Sequence, residues 1–533
     1  MAIDDPVQGP RTDGSPPATP PARETAPARE TAPARGTVPE TAPADTKDAP
    51  AGTPASPAPV PAASSGWNAL RPLVLRLHFY AGLLIAPLLL VAATSGFLYS
   101  LSYQAEKILY RHELRAPVGD RTQPLTDQIA AARAAHPEGT VTSVRLPSEE
   151  GATTQVLMAT PDAEPSHSLA VFVDPYTSEV RGALDSYGSS GALPVRAWLS
   201  EFHRHLQLGD PGLYYSELAA SWLWVVALGG LLLWIGRKRA SKRALLVPER
   251  GTTGRRRTLS LHGSLGLWAV TGLVLLSATG LTWSKYAGAN ITEIKDQLGS
   301  STPVVSATLD GATAGAGGGG HEGHEGHEGM EGMEDMPGME GMEGMESMDV
   351  GVDLAVVAAR QAGLDGPVQV TLPTEGQGYV IAQTDKQFPV RLDSVAVDPA
   401  NGAVIDELRF ADYPVLAKLT RIGIDAHMGL FLGVANQLAL AALALALIVL
   451  IVWGYRMWWL RRPTRERRFG VGRPIPRGTW RKVPLTWLLP LGAVTAVVGW
   501  FLPMLGISLL VFLALDAALG LWARTRHTAT ATR

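Results

Sequence analysis

The sequence predicts an integral membrane α-helical bundle: four core transmembrane helices related as a two-fold repeat, a C-terminal two-helix hairpin, and two small α+β modules held outside the membrane. Three observations predict it. Long, nearly uncharged apolar runs occupy about 79–101, 214–236, 262–284, 433–459, 485–502 and 504–523. Basic residues concentrate in the loops between them. The first half of the chain also aligns with the second.

Each apolar run is close to the ~20 residues that a helix needs to cross a bilayer. The runs are rich in Leu, Ala, Val and Gly without period-2 alternation, so helices, not barrel strands, would satisfy their backbone polar groups in lipid. The averages of 46% hydrophobic residues and net charge -3 over 533 residues conceal this clustering. Only Phe501-Leu502-Pro503-Met504 separates the last two runs, which form a tight hairpin or one broken element.

Orientation follows from the loops. Residues 237–257 carry nine Lys/Arg, residues 461–482 carry nine more, and Arg71 and Arg76 precede the first helix. Such segments stay in the cytoplasm, which puts both termini inside and 102–213 and 285–432 outside. There is no Cys, hence no disulfide and no thiolate metal site. The Pro/Ala-rich first 66 residues lack an apolar run, and read as a disordered cytoplasmic tail and not a signal peptide.

The repeat is explicit. "LRLHFYAGLLIAPLLLVAATSGFLY" aligns without gaps on "LSLHGSLGLWAVTGLVLLSATGLTW", with His78 on His262, Gly82 on Gly266 and Gly96 on Gly280 at an offset of 262 − 78 = 184. "VFVDPYTSEV" matches "VAVDPANGAV" and "FHRHLQLG" matches "AHMGLFLG", at 398 − 174 = 224 and 427 − 203 = 224. The offset grows by 224 − 184 = 40, the length of a Gly/His/Glu/Met tract at 310–349. That tract is therefore an insertion into a duplicated framework. Each outer segment holds a helix with i, i+3, i+4 apolar spacing ("LTDQIAAARAAHP", "VDLAVVAARQAG") and then strand-like runs joined by Asp-Pro turns.

The expected order is the tail (1–66), first helix (70–103), first module (122–185), histidine segment and second helix (196–236), and basic loop (237–258). The third helix (259–286), insertion (310–349), second module (350–410), histidine segment and fourth helix (414–460), basic loop (461–482) and hairpin (483–524) follow.

On the "LHFYAGL" and "LHGSLGL" helix starts, the two "VDP" hairpins and the "FHRHLQLG" and "AHMGLFLG" segments, residues 70–460 resemble the PepSY-associated transmembrane proteins. The resemblance implies PepSY-like modules. Relatives include iron-regulated membrane proteins and haem-containing ferric-siderophore reductases of the bacterial inner membrane, which is the expected location here.

His78 and His262 stand at the cytoplasmic helix starts, and His203 and His427 at the outer starts, giving two repeat-related pairs. Neutral imidazole is a haem-iron ligand, and two on one iron leave no open position, which suits electron transfer. Two b-type haems are the expectation. Gly82 and Gly266, four residues after their histidines on the same face, would let a flat macrocycle approach. A histidine at a helix end also serves as an interfacial hydrogen-bonding anchor, and repeat symmetry would preserve that role equally. His205, two residues from His203, does not share its face; His112, His136 and His167 read as solvated surface residues. Asp516 in the last helix reads as a proton or partner contact. Tyr99, Tyr103, Trp283, Tyr286, Trp458 and Trp459 read as interfacial anchors.

The insertion offers imidazoles at His321, His324 and His327 and thioethers at Met330, Met333, Met336, Met339, Met342, Met345 and Met348. Thioethers suit Cu(I) and imidazole suits Cu(II), so this tract would collect copper, unless it is only a solvated linker.

The leading expectation is a haem-b protein passing electrons from a separate donor protein or a quinol to an outer ferric-siderophore or cupric substrate. A transporter is a further partner, membrane lipid surrounds the helices, and nucleic acid is not a partner. "GAGGGG" joins no strand to a helix, so the chain carries no nucleotide fingerprint. Two readings compete: a non-redox metal-handling membrane protein, and a protease or sensor interaction protein with structural histidines.

Overall fold

The computed structural model describes residues 66–237, 242–309, 350–461 and 478–531. The insertion with all ten of its expected copper ligands, residues 1–65 of the tail and most of the second basic loop lie outside the described residues.

Helices α1 (Gly66–Leu84) and α2 (Ala86–Leu109) make up the first apolar region. Pro87 explains the break at Ile85: it has no N–H, so the Leu83 carbonyl loses its intrahelical donor. The Tyr455 hydroxyl donates to that carbonyl instead, at 3.0 Å. Ile85 keeps helical angles, φ -89° and ψ -22°. The helical region therefore extends well past both ends of the apolar run. Arg76, expected ahead of the first helix, lies inside α1, is buried, and pairs with Asp516.

The first module follows as α3 (Leu125–Ala135), β1 (Thr140–Arg145), β2 (Thr154–Ala159), β3 (His167–Val173) and β4 (Val180–Tyr187). Asp174 fixes the β3–β4 turn by accepting from the backbone N–H of Tyr176 at 2.8 Å. Then come α4 (Pro194–His205), α5 (Asp210–Ile235), α6 (Gly254–Leu281) and α7 (Lys285–Gln297). The second module repeats the first as α8 (Gly351–Gln361), β5 (Val368–Thr371), β6 (Tyr379–Gln383), β7 (Ser394–Val397) and β8 (Val404–Leu408).

The modules are not separate bodies. Their strands form one antiparallel eight-stranded sheet in the order β4-β3-β2-β1-β5-β6-β7-β8. The join pairs Val144 with Val370 and Arg145 with Gln369, and Arg145 Nε donates to Gln369 Oε1 at 2.7 Å. An exposed strand edge is a liability, and here each half covers the other's. Helices α3 and α8 lie on one face, burying Ile129, Ala132, Val352 and Ala355 against Val144, Val171, Val370 and Ile381. Asp353 ties these helices together by accepting from the backbone N–H groups of Leu125 and Thr126, at 2.8 and 3.1 Å.

The chain returns to the bundle through α9 (Val415–Met428) and α10 (Val434–Trp459) and ends with α11 (Leu485–Phe501) and α12 (Pro503–Ala531). Among the described residues, five helical stretches are long and apolar enough to cross a membrane: Ala86–Leu109, Asp210–Ile235, Gly254–Leu281, Val434–Trp459 and Pro503–Trp522. The sixth expected span, α11, has 17 residues and carries Pro490. A Cβ on Gly506 would lie 2.3 Å from the Gly499 carbonyl oxygen, so α11 and α12 touch backbone to backbone at their junction.

Candidate functional site

The sheet-side histidines are set by two matching turns. Helix α4 ends with Leu206 in the left-handed region, and Gly209 (φ 60°, ψ -138°) opens α5. Helix α9 ends with Gly429 left-handed, and Gly433 (φ 55°, ψ -133°) opens α10. Only glycine adopts the Gly209 and Gly433 angles readily. The first turn folds α4 back beside α5, while α9 packs against α6. Arg196 anchors α4: its Nε donates to Glu106 Oε2 at 2.7 Å, and its guanidinium lies over the Tyr103 ring. Asn436 and Tyr103 anchor the end of α9 by donating to the carbonyls of Ala426 and Met428, each at 2.9 Å.

His203 and His427 thereby face each other, ring centroids 6.5 Å apart. Ser95 Oγ lies 2.8 Å from Nδ1 of His203, and Thr279 Oγ1 lies 2.7 Å from Nδ1 of His427. Each hydroxyl also donates to a carbonyl of its own helix, Val91 or Leu275. With its proton so used, each oxygen accepts from the imidazole, placing the ring proton on Nδ1 and the lone pair on Nε2. Glycine lets the rings approach: a Cβ on Gly96 or Gly280 would sit 3.3 or 3.5 Å from the Cε1 of His203 or His427. Burial pushes both imidazoles below their usual value, His427 to about 3.

His78 and His262 repeat the arrangement at the other end of the bundle, centroids 6.4 Å apart. Their Nδ1 atoms lie 2.9 and 3.0 Å from the carbonyl oxygens of Val226 and Leu450. A carbonyl can only accept, so these rings also carry the proton on Nδ1 and leave Nε2 for a ligand.

An imidazole nitrogen binds a first-row metal at about 2.0–2.1 Å and lies roughly 1.2 Å from its ring centroid, so two imidazoles axial on one ion have centroids roughly 6.4 Å apart. Both pairs have that separation. An outer partner on the second ring nitrogen is also what metal-bound histidines use to hold tautomer and orientation. Around His203 and His427 lies an open-mouthed cavity lined mainly by apolar side chains such as Leu89, Leu223, Leu273 and Leu447. Tyr99 and Trp283, expected as interfacial anchors, line it too. At the far end a Cβ on Gly82 would meet nothing within 4 Å, and one on Gly266 only Leu450 at 3.8 Å. The cavity around His203 and His427 has room for a planar iron macrocycle, and the imidazoles at the far end stand at the same separation. Thr279 follows His262 by 279 − 262 = 17 residues on one helix, so the two pairs stand about 25 Å apart along the bundle.

A family model for the PepSY-associated TM region matches residues 75–461. The chain belongs to this family. A comparison with curated proteins returned no match. As a PepSY-associated TM protein with five apolar helices of spanning length among its described residues, it is a multi-pass membrane protein.

His78 thus lies against His262 and His203 against His427, and the Nε2 of His205 lies 3.9 Å from Glu201. His112 is exposed, and His136 sits beside Glu138. His167 is not a solvated residue: its side chain is only 11% exposed and its Nδ1 lies 2.6 Å from Asp185. Asp516 is the ion-pair partner of Arg76. Sequence reasoning missed the outer partners, although its own offsets relate them: 279 − 95 = 184 and 450 − 226 = 224. Backbone carbonyls carry no sequence signal, and a Ser or Thr within an apolar helix reads as filler.

Proposed function

We propose that this protein carries electrons across the membrane through two b-type haems, one held by His78 and His262 and the other by His203 and His427. The observation that carries the reading is the pair of imidazole separations, 6.4 and 6.5 Å, with Nδ1 of every ring already engaged. A haem iron with both axial positions filled by imidazole exchanges electrons and has no position open for oxygen. The chain's own contribution is orientation, a fixed tautomer and a dry surrounding.

In this reading α2, α5, α6 and α10 are the two-fold core, α11 and α12 form a hairpin beside it, and the sheet lies outside a bacterial inner membrane with both termini in the cytoplasm. A quinol or a donor protein reduces the His78/His262 side. The His203/His427 side serves an oxidised metal complex, a ferric siderophore or cupric ion, before its uptake by a transporter. The His321–Met348 tract collects copper for it.

A reduced-minus-oxidised absorbance spectrum of the purified protein tests this. A b-type signal at two haems per chain is expected. A colourless preparation with full-length, folded protein would reject the reading in favour of metal handling without redox chemistry.

A further inference from the structure

We propose that His167, Glu201 and Glu164 form a second metal site, distinct from the histidine pairs, for a divalent transition-metal ion. The three come from different places: His167 opens β3, Glu164 lies in the turn before it, and Glu201 projects from α4. One ligand atom from each lies within 4.8 Å of the others.

The chemistry centres on His167 Nε2, which is buried and has no hydrogen-bond partner among the described residues. It lies 3.7 Å from Glu201 Oε1, beyond hydrogen-bonding range. Two donors each about 2.0–2.2 Å from one ion, at tetrahedral or octahedral angles, are separated by roughly 2.8–3.6 Å, so a small contraction lets both bind. The other ring nitrogen lies 2.6 Å from Asp185 Oδ2, the carboxylate–histidine support that holds a metal-binding imidazole in place. The Tyr187 ring, its centroid 4.9 Å away, packs against the imidazole.

An open cavity runs alongside, lined by Thr160, Asp162, Glu164, His167 and Asp185. It gives the ion a route and leaves room for water as the remaining ligands. The carboxylates of Asp162, Glu164 and Asp185 on this cavity, with Glu201, draw in a cation. One imidazole among carboxylates selects a borderline ion. Calcium and magnesium take oxygen ligands alone, Cu(I) takes soft sulfur, and Cu²⁺ heads the affinity order for mixed nitrogen and oxygen donors. The site does not depend on haem at the histidine pairs. Glu201 stands on the same helix as His203, two residues before it, so an ion here would sit beside the sheet-side pair.

The test is a titration of the full chain in detergent with copper(II) chloride alone, read by paramagnetic resonance. His321, His324 and His327 are changed to Ala in every sample so that the insertion's imidazoles do not compete. One bound ion showing coupling to one imidazole nitrogen is expected. Its affinity should fall at least 10-fold in Glu201→Gln and in His167→Gln and be unchanged in His136→Gln. Unaltered affinity and spectrum in both site variants overturn the proposal. Glu201→Gln, which keeps size and shape, guards against loss of folding in His167→Gln. Haem absorbance from the same samples reports on the pairs separately. Copper binding lost in the variants of a haem-free protein upholds this site while rejecting the haem reading; haem retained with copper indifferent to the variants does the reverse.

Discussion

Thr279 Oγ1 lies 2.7 Å from His427 Nδ1 and sends its own proton to the Leu275 carbonyl, so one hydroxyl decides which nitrogen of that histidine is available. Ser95 does the same for His203 on the partner helix. Losing such an outer partner typically costs 10–100-fold in metal affinity. Thr279→Val, which keeps shape and removes the hydroxyl, should weaken haem retention at the sheet-side pair by that factor and leave the His78/His262 haem in place. Haem content after dialysis against apomyoglobin measures it. Equal retention in variant and parent would count against the tautomer argument.

Replacing single histidines separates the two pairs. His78→Ala and His427→Ala should each lower haem content from two per chain to one, and the double variant should be colourless. A pyridine haemochrome assay on protein of known concentration reads this directly. If either single variant keeps both haems, that pair is structural.

Gly82→Leu tests the far-end space without touching a ligand. A Cβ there meets no atom within 4 Å, so the bare protein should accept the side chain, with a stability change within about 0.5 kcal/mol. If a macrocycle held by His78 passes this glycine, the same side chain should displace the far-end haem. Normal melting with one haem lost is the expected combination, and full haem occupancy would show that the macrocycle does not pass this glycine.

How much of this was legible in the sequence varies by residue. His78, His203, His262 and His427 are spaced by the repeat, and the repeat also placed them in facing pairs. The two module helices likewise emerged where their apolar spacing put them, at Leu125–Ala135 and Gly351–Gln361. The joining of β1 to β5 was not legible, because backbone pairing between two short strands leaves no mark beyond alternation that either module would show alone. The metal-capable group around His167 was missed for another reason: its ligands come from one helix and a turn in a different stretch of chain. Repeat bookkeeping finds only what occurs twice, and His167 has no counterpart in the second half.

Glu106 holds the histidine helix α4 against α2. Its carboxylate accepts from Arg196 Nε at 2.7 Å and from the backbone N–H of Leu193 at 2.8 Å, with both charged side chains buried. Glu106→Ala leaves the guanidinium buried without its carboxylate, which typically costs about 3–5 kcal/mol. The expected outcome is a lower melting temperature together with loss of the sheet-side haem and retention of the other. Uniform loss of both would mean the bundle, not α4 alone, depends on this pair.

Acid should undo the sheet-side pair. Burial holds His427 at about 3 against an ordinary 6.5, and His203 shifts in the same direction. Between those values the unfolded chain binds a proton that the folded chain refuses, so stability is fully present above about pH 6.5 and falls as pH drops toward 3. The limiting slope is about 1.4 kcal/mol per pH unit for each such imidazole. A haem iron held there, as proposed, would compete with the same proton for Nε2 and should leave over the same range. Melting temperature and haem absorbance, followed from pH 8 to 4.5 in one detergent, should both hold steady at the alkaline end and decline together below neutrality. His427→Gln, which cannot titrate, should flatten the decline in melting temperature. An unchanged slope in that variant would place the acid sensitivity elsewhere in the chain.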